Sequence, residues 1–271
     1  MRGEETMSNI HPSSVIEDGA EIGEGCVIGP FCVIGAEVKL GNGNVLHSHV
    51  AITGKTTIGD DNQIYPFASI GHAPQDLKFR GEESSLVIGA RNRIREGVTL
   101  NPGTADGAME TRIGDDCLFM ANSHVAHDCI LGNNIILANN AMVAGHVELG
   151  DFAIIGGGSG VHQFVRIGSH AMIGGLSAVD RDVIPYGQVF GGGDPLVGLN
   201  LIGLKRRGAQ RDEIRDLQAA YRMLFDDGDG TLAERLERVR ITHEGRPLVD
   251  HLLTFMEAES RRSYVQPAKA V

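Results

Sequence analysis

Tryptophan is absent from this 271-residue chain, and aromatic residues make up only 5% of it. The shortage excludes a wide core built around rings and suits narrow coils, into which bulky rings would not fit. No run approaches the 18 or more apolar residues of a membrane span, and the opening MRGEETMSN lacks the apolar centre of a signal peptide. A cytoplasmic protein with no transmembrane segment is therefore expected, with either Met1 or Met7 as its start. Basic residues are in deficit: 24 Lys and Arg against 35 Asp and Glu leave a formal net charge of −11. That balance argues against a nucleic-acid binder, although it leaves room for a local basic patch. Only four cysteines are present.

What the chain has in quantity is glycine, 37 residues of it, within an ordinary 42% hydrophobic content. Glycine reaches positive φ at little cost and so permits frequent tight turns. The stretch Ile113–Ile184 divides into twelve units of six: IGDDCL, FMANSH, VAHDCI, LGNNII, LANNAM, VAGHVE, LGDFAI, IGGGSG, VHQFVR, IGSHAM, IGGLSA and VDRDVI. The first position is large and apolar, and the fifth is mostly small or β-branched. A period of six matches neither an amphipathic helix nor an alternating strand. It is the signature of a solenoid of short parallel strands.

The same register starts at Ile10 and gives 26 hexads in all, each opening on Ile, Leu or Val except at Phe119. Three hexads close a triangular coil, so nearly nine coils stack at ~4.8 Å each into a prism roughly 40 Å tall. Cys26, Cys32, Cys117 and Cys129 all fall on the fifth position, as do Ser123 and Ser159. They read as small core fillers rather than as a disulfide framework, metal ligands or nucleophiles.

Two segments break the register, DLKFRGEESSLV over 76–87 and DGAMETR over 106–112. Loops thrown out of a prism answer to function more than to packing, so they are either functional or plain polar excursions. The repeat stops at Pro185, and a glycine-rich connector, VFGGGDPLVGLNLIGLKRRGAQ, leads to helical patterns. A helix is predicted near 210–226 from Ile214, Leu217, Tyr221 and Leu224. Thr231 with Glu234 forms a capping box for a second, and Pro247 suits the first turn of a last helix carrying Leu248, Leu252, Phe255 and Met256. The expected domains are a prism over 10–195 with the two loops inserted and a helical domain over 196–271, fraying from Ser263.

In an eighteen-residue coil, positions 127, 145 and 163 stack on one edge, which gathers His127, Gly145 with His146, and His162 with Gln163. His124 falls near the adjoining corner. An imidazole assisted by a carboxylate is a general base, and His127 followed by Asp128 has that chemistry. Neighbours on a strand face opposite ways, so their contact does not follow from the sequence. Gly145 brings a bare N–H to the same edge, as an oxyanion hole requires. The histidines lack the close ligand spacing of HExxH or CxxC, so no metal is expected.

HVAHDC, LANNAMVAGHV, DFAIIGGGSGVHQF and GLNLIGLKRRG resemble the motifs of the UDP-N-acetylglucosamine acyltransferases that begin lipid A biosynthesis. The likeness runs from IHPSSVI into the terminal helices. It implies a left-handed parallel β-helix, against the usual right-handed crossover rule, and a homotrimer with active sites between subunits. It also implies a general base, His127, helped by Asp128, that deprotonates the glucosamine 3-hydroxyl for attack on an (R)-3-hydroxyacyl thioester of acyl carrier protein. Gly145 would hold the oxyanion, and no cofactor is called for. Asp76 and Lys78 match family positions near the sugar and phosphates, and His124, His146, His162 and Gln163 match others lining the cleft. Asn200, Arg206 and Arg207 fall where the nucleotide is held, and Met172 and Gly175 where relatives measure the acyl chain.

The sequence departs from the family pattern at Gly97, Asn101, Gly193 and Ile202, the last where some relatives carry a carboxylate toward the uracil. Acyl length and acceptance of a 3-amino sugar nucleotide stay open. Two rivals remain: a non-catalytic hexapeptide-repeat scaffold, and a related N-acyltransferase, whose members carry an extra N-terminal domain. Carrier docking is expected on a basic patch of Lys205, Arg206, Arg207 and Arg211 with Arg166 and Arg181 beside it.

Overall fold

The computed structural model describes residues 8–190, 195–226 and 229–268. Gly193 and Lys269 to Val271 lie outside them, as does Met7. Each hexad contributes a strand of only two residues, such as His124–Val125 or Met142–Val143, followed by a tight turn. The strands stack in parallel into sheets of eleven, nine and eight, the three faces of a prism. Partners are eighteen residues apart, as in Ile136↔Ile154 and His124↔Met142. The step lengthens to thirty at Ser69↔Thr99 and to twenty-five at Thr99↔His124, which matches the two insertions.

The repeat is built by burial at its first position. Ile28, Ile34, Ile52, Ile94, Leu137 and Ile155 are all sealed from solvent, and Phe119 is accommodated in the same column. All four cysteines are buried and free. Fifth positions Asn44, Asn62 and Asn92 form an internal ladder: the Asn62 N–H donates to Asn44 Oδ1, that of Asn92 to Asn62, and that of Cys117 to Asn92, at 2.7 to 2.9 Å. Each amide satisfies a backbone donor that the narrow core hides from water.

Both insertions leave the prism at the edge between the nine- and eight-stranded sheets. They are longer at their starts than the broken register implies, because the chain leaves the strands at Gly71 and Asn101. They also end sooner, since Ser85–Ile88 and Glu110–Ile113 are already strand, where each run extends the eight-stranded sheet.

The eleven-stranded sheet is completed by Gly187–Val189 and, antiparallel to it, Leu196–Leu199. Four helices follow: α1 (Leu201–Arg206), α2 (Arg211–Phe225), α3 (Leu232–Thr242) and α4 (Pro247–Glu257). The capping box at Thr231 and the proline at the start of α4 stand as expected. α1 falls in what reads as a glycine-rich connector; the Asn200 side chain caps it, accepting from the Gly203 N–H at 2.9 Å. Among the described residues no helix is long and apolar enough to cross a membrane.

The tail does not fray at Ser263. The Asp182 N–H donates to Ser263 O and the Val265 N–H to Asp182 O, both at 2.8 Å, so the segment is stitched to the last coil. Arg166 also differs from its expected role. It is 9% exposed, pairs with the fully buried Asp182 at 2.8 Å and lies 4.5 Å over the Phe255 ring. Breaking such a pair costs about 3–5 kcal/mol. It fastens α4 to the prism and is not available as a docking residue.

Candidate active site

Most hexad turns place their second residue at positive φ, and Asp128 takes φ 57°. His127 and Asp128 thus sit on a corner rather than along a strand, and the left-handed residue swings its carboxylate back beside its neighbour. His127 Nδ1–H donates to Asp128 Oδ2 at 2.8 Å. This fixes the ring's tautomer and leaves the Nε2 lone pair free to take a proton. The contact that sequence reasoning left open is made by turn geometry.

The insertions serve this corner. Three groups of the second loop hold Asp128: the Thr104 N–H at 3.1 Å, the Thr104 hydroxyl at 2.6 Å and the Ala108 N–H at 2.9 Å. Gly107 packs so close that a Cβ there would collide with the carboxylate. The first loop brings Asp76 Oδ2 to 3.8 Å from His127 Nε2. Lys78 braces one loop against the other through Asp106 at 2.9 Å, and the Asp106 partnership raises its pKa. Thr104, Gly107 and Ala108 carry no motif and lie in or beside DGAMETR, whose register break was the only signal.

Burial pushes the Asp128 pKa up, but hydrogen bonds from Thr104 and His127 outweigh it and hold the carboxyl below its usual value. A depressed carboxyl adds stability that is present above its unfolded pKa of about 3.9 and lost as pH falls through the lower folded value. Thr104→Val should therefore cost about 1–2 kcal/mol at pH 7, a deficit that shrinks below about pH 3.9. Urea unfolding at the two pH values checks this; a deficit independent of pH would mean the hydroxyl does not serve the ionised carboxylate.

His146 meets His127 edge-on at 5.0 Å and stacks on Phe164 at 4.4 Å. Burial lowers its pKa, against the pull of Asp128. Burial lowers that of His124 too, helped by His127, and its Nδ1 lies 2.7 Å from the Thr99 hydroxyl. Burial pushes the Cys129 thiol up to about 12, which removes it as a nucleophile. Stacking brings ligand atoms of His127, Asp128 and His146 within 4.8 Å of one another, a cluster that linear spacing does not reveal. The Asp128 oxygens, however, are already taken by loop donors, so the arrangement suits proton transfer better than metal ligation.

A groove of about 710 Å³ opens along the nine-stranded face from this corner, lined by Gln75, His124, His127, Gly145, His162 and Gln163 and floored by Met142, Gly160 and Ala178. A Cβ on Gly145 would stand 2.5 Å from His127 Cε1, so only glycine lets ring and backbone approach. Among the described residues the Gly145 N–H donates to no protein acceptor.

The other expected residues lie elsewhere in the chain. Asn200 is buried, with its amide donating to His170 O at 3.0 Å, and Arg207 lies over Phe152 at 4.6 Å; both belong to the edge between the eight- and eleven-stranded sheets. Arg206 is exposed on the last turn of α1. Met172 faces out from the eleven-stranded sheet, and Gly175 lies at its border with the nine-stranded one. The structure does not bring these groups to His127 within one chain. Two residues unsuspected from sequence do reach the corner: Arg261, 4.6 Å over Phe164, and Arg262, whose guanidinium contacts His162 and Gln163.

Comparison with known proteins agrees with this architecture. Residues 182–265 match the family model described as UDP N-acetylglucosamine O-acyltransferase, domain 2, and residues 7–36, 19–54 and 110–145 match bacterial transferase hexapeptide repeats. The acyl-[acyl-carrier-protein]–UDP-N-acetylglucosamine O-acyltransferase of Methylobacterium radiotolerans is 58% identical over 97% of this chain and 96% of its own length. That of Azorhizobium caulinodans is 52% identical over the same shares. Among solved structures, the Moraxella catarrhalis UDP-N-acetylglucosamine O-acyltransferase superposes with TM-score 0.92 at 43% identity, covering 95% of this chain and 99% of that one. The Francisella novicida enzyme gives TM-score 0.92 at 36% identity, with 96% and 95% covered. Hexapeptide matches and parallel stacking together identify the prism as a left-handed parallel β-helix. The chain belongs to the UDP-N-acetylglucosamine O-acyltransferase family.

Proposed function

We propose that His127 is the general base of an acyl transfer from acyl carrier protein to UDP-N-acetylglucosamine, the reaction for which the relatives are named. The observation that carries this reading is the His127 ring, fixed through Nδ1 by Asp128 and open through Nε2 to the groove. Nε2 takes the proton of the sugar 3-hydroxyl as its oxygen attacks the thioester carbonyl of an (R)-3-hydroxyacyl chain. The Gly145 N–H supports the oxyanion that forms. The C–S bond then breaks, and the imidazolium returns the proton to the departing thiolate. Asp76, near Nε2, and Asp128, at Nδ1, both favour the transient positive charge. The step needs no cofactor and stands first in lipid A biosynthesis, in the cytoplasm.

The acyl chain lies along the apolar floor of the groove, and Met172 and Gly175 of the family pattern, on and beside the eleven-stranded face, set its length from another copy. Lys78, His124, His146, His162 and Gln163 line the sugar end. Asn200, Arg206 and Arg207 sit on a different prism edge, so they reach a base only if it belongs to another copy. A homotrimer that shares its sites across subunits meets this need. Light scattering at micromolar concentration should give about three times the chain mass, and a stable, active monomer would refute sharing. Carrier docking falls to Lys205, Arg206 and Arg211, exposed on and after α1. Incubation with UDP-N-acetylglucosamine and a panel of acyl carrier protein thioesters tests the reading: acylated sugar nucleotide supports it, and none, with every thioester intact, leaves a scaffold.

A further inference from the structure

The segment after α4 is tied down by a buried cluster. Asp182, fully buried, accepts from the Arg166 N–H and Nε–H at 2.8 Å each and from the Ser260 hydroxyl at 2.7 Å. Ser260 Oγ in turn accepts the Arg262 N–H at 3.0 Å. Arg166 also reaches the Tyr264 hydroxyl at 3.1 Å, and that hydroxyl donates to Met256 O at 2.9 Å. Two residues on either side of Arg262, the chain is thus pinned to the last coil of the prism. An arginine placed this way loses little further freedom when its planar fork finds acceptors.

Its fork finds them on the third coil of the active edge. Arg262 donates from Nε to Gln163 O at 3.1 Å and from Nη2 to the same oxygen at 2.9 Å, and Nη2 stands 2.7 Å from His162 Nδ1. A guanidinium has donors only, so at 2.7 Å Nδ1 offers it a lone pair rather than donating to Gln163 O, which lies 3.3 Å away and already accepts twice from Arg262, and the proton of the neutral ring then sits on Nε2. His162 lines the groove with His127 and Gly145. We propose that Arg262 is a positioning residue that holds His162 as an Nε2–H donor to an acceptor oxygen of the bound substrates.

The kinetic side of this inference rests on the acyl-transfer reading; the tautomer does not. Arg262→Met removes the donors and keeps the apolar stem, and thermal melting verifies that it folds. In ¹⁵N-labelled protein without substrate, at a pH where histidines are neutral, His162 should show one tautomer, protonated on Nε2, and Arg262→Met should show both. His162→Ala identifies the signals. Arg262→Met should lower kcat/KM roughly tenfold, Arg262→Lys should recover part of it, and neither change should matter further in a His162→Ala background. An unchanged tautomer in Arg262→Met, or an equal loss with and without His162, would overturn the inference. A parent protein without any transfer activity would instead overturn the function reading, while the tautomer comparison would still decide this one.

Discussion

His127→Ala is expected to lower turnover by ~10²–10⁴-fold, the usual weight of a general base, at a stability cost of about 1–2 kcal/mol for the lost hydrogen bond to Asp128. The ring lies on a corner, outside the column of first-position aliphatics that holds the prism. Asp128 keeps its three loop donors without it, so no buried carboxylate is orphaned. KM for the sugar nucleotide should change far less than kcat, because the proton is taken in the transition state. Steady-state kinetics with saturating acyl carrier protein thioester, beside a urea melt of the same sample, separates the two effects. A variant that keeps more than half the parent rate would sink the assignment.

Gly145→Ala should come second, at ~10²-fold, the scale on which a misplacement of about 1 Å is felt. The added methyl would stand 2.5 Å from His127 Cε1 and 2.6 Å from Nε2, closer than carbon and ring atoms approach. The ring must swing away, which stretches the 2.8 Å bond to Asp128 and takes Nε2 off its line. The backbone does not object, since Gly145 is absent from the positive-φ positions where an L side chain is strained. The defect is thus confined to ring and methyl, and shrinking His127 should relieve it. Gly145→Ala in a His127→Ala background should therefore cost almost nothing more, and a full second loss there would mean that the methyl acts on the substrate instead. Crystallography or histidine NMR of the variant would register the displaced ring directly.

The prism and its buried residues were legible in the sequence because each hexad meets only its neighbours. A local rule, one aliphatic every six residues, is then also the global one. The same periodicity converts eighteen residues of chain into one strand spacing, so His127, Gly145 and Gln163 could be stacked on paper, and the cysteines and Ser123 recognised as interior. The tertiary structure alone decided what the period does not govern. Loops without a repeat converge on one edge through Thr104, Ala108 and Asp76, and the positive φ of Asp128 turns a neighbour into a partner. Arg166 reads as a surface charge among charges until Asp182, Phe255 and Tyr264 enclose it. Arg262 reaches His162 across a hundred residues of sequence, from just before the tail that reads as fraying from Ser263. Local pattern specifies a one-dimensional stack; contacts between the stack and the segments that leave it are long-range and aperiodic, and the residues that make them carry no mark of it in the chain.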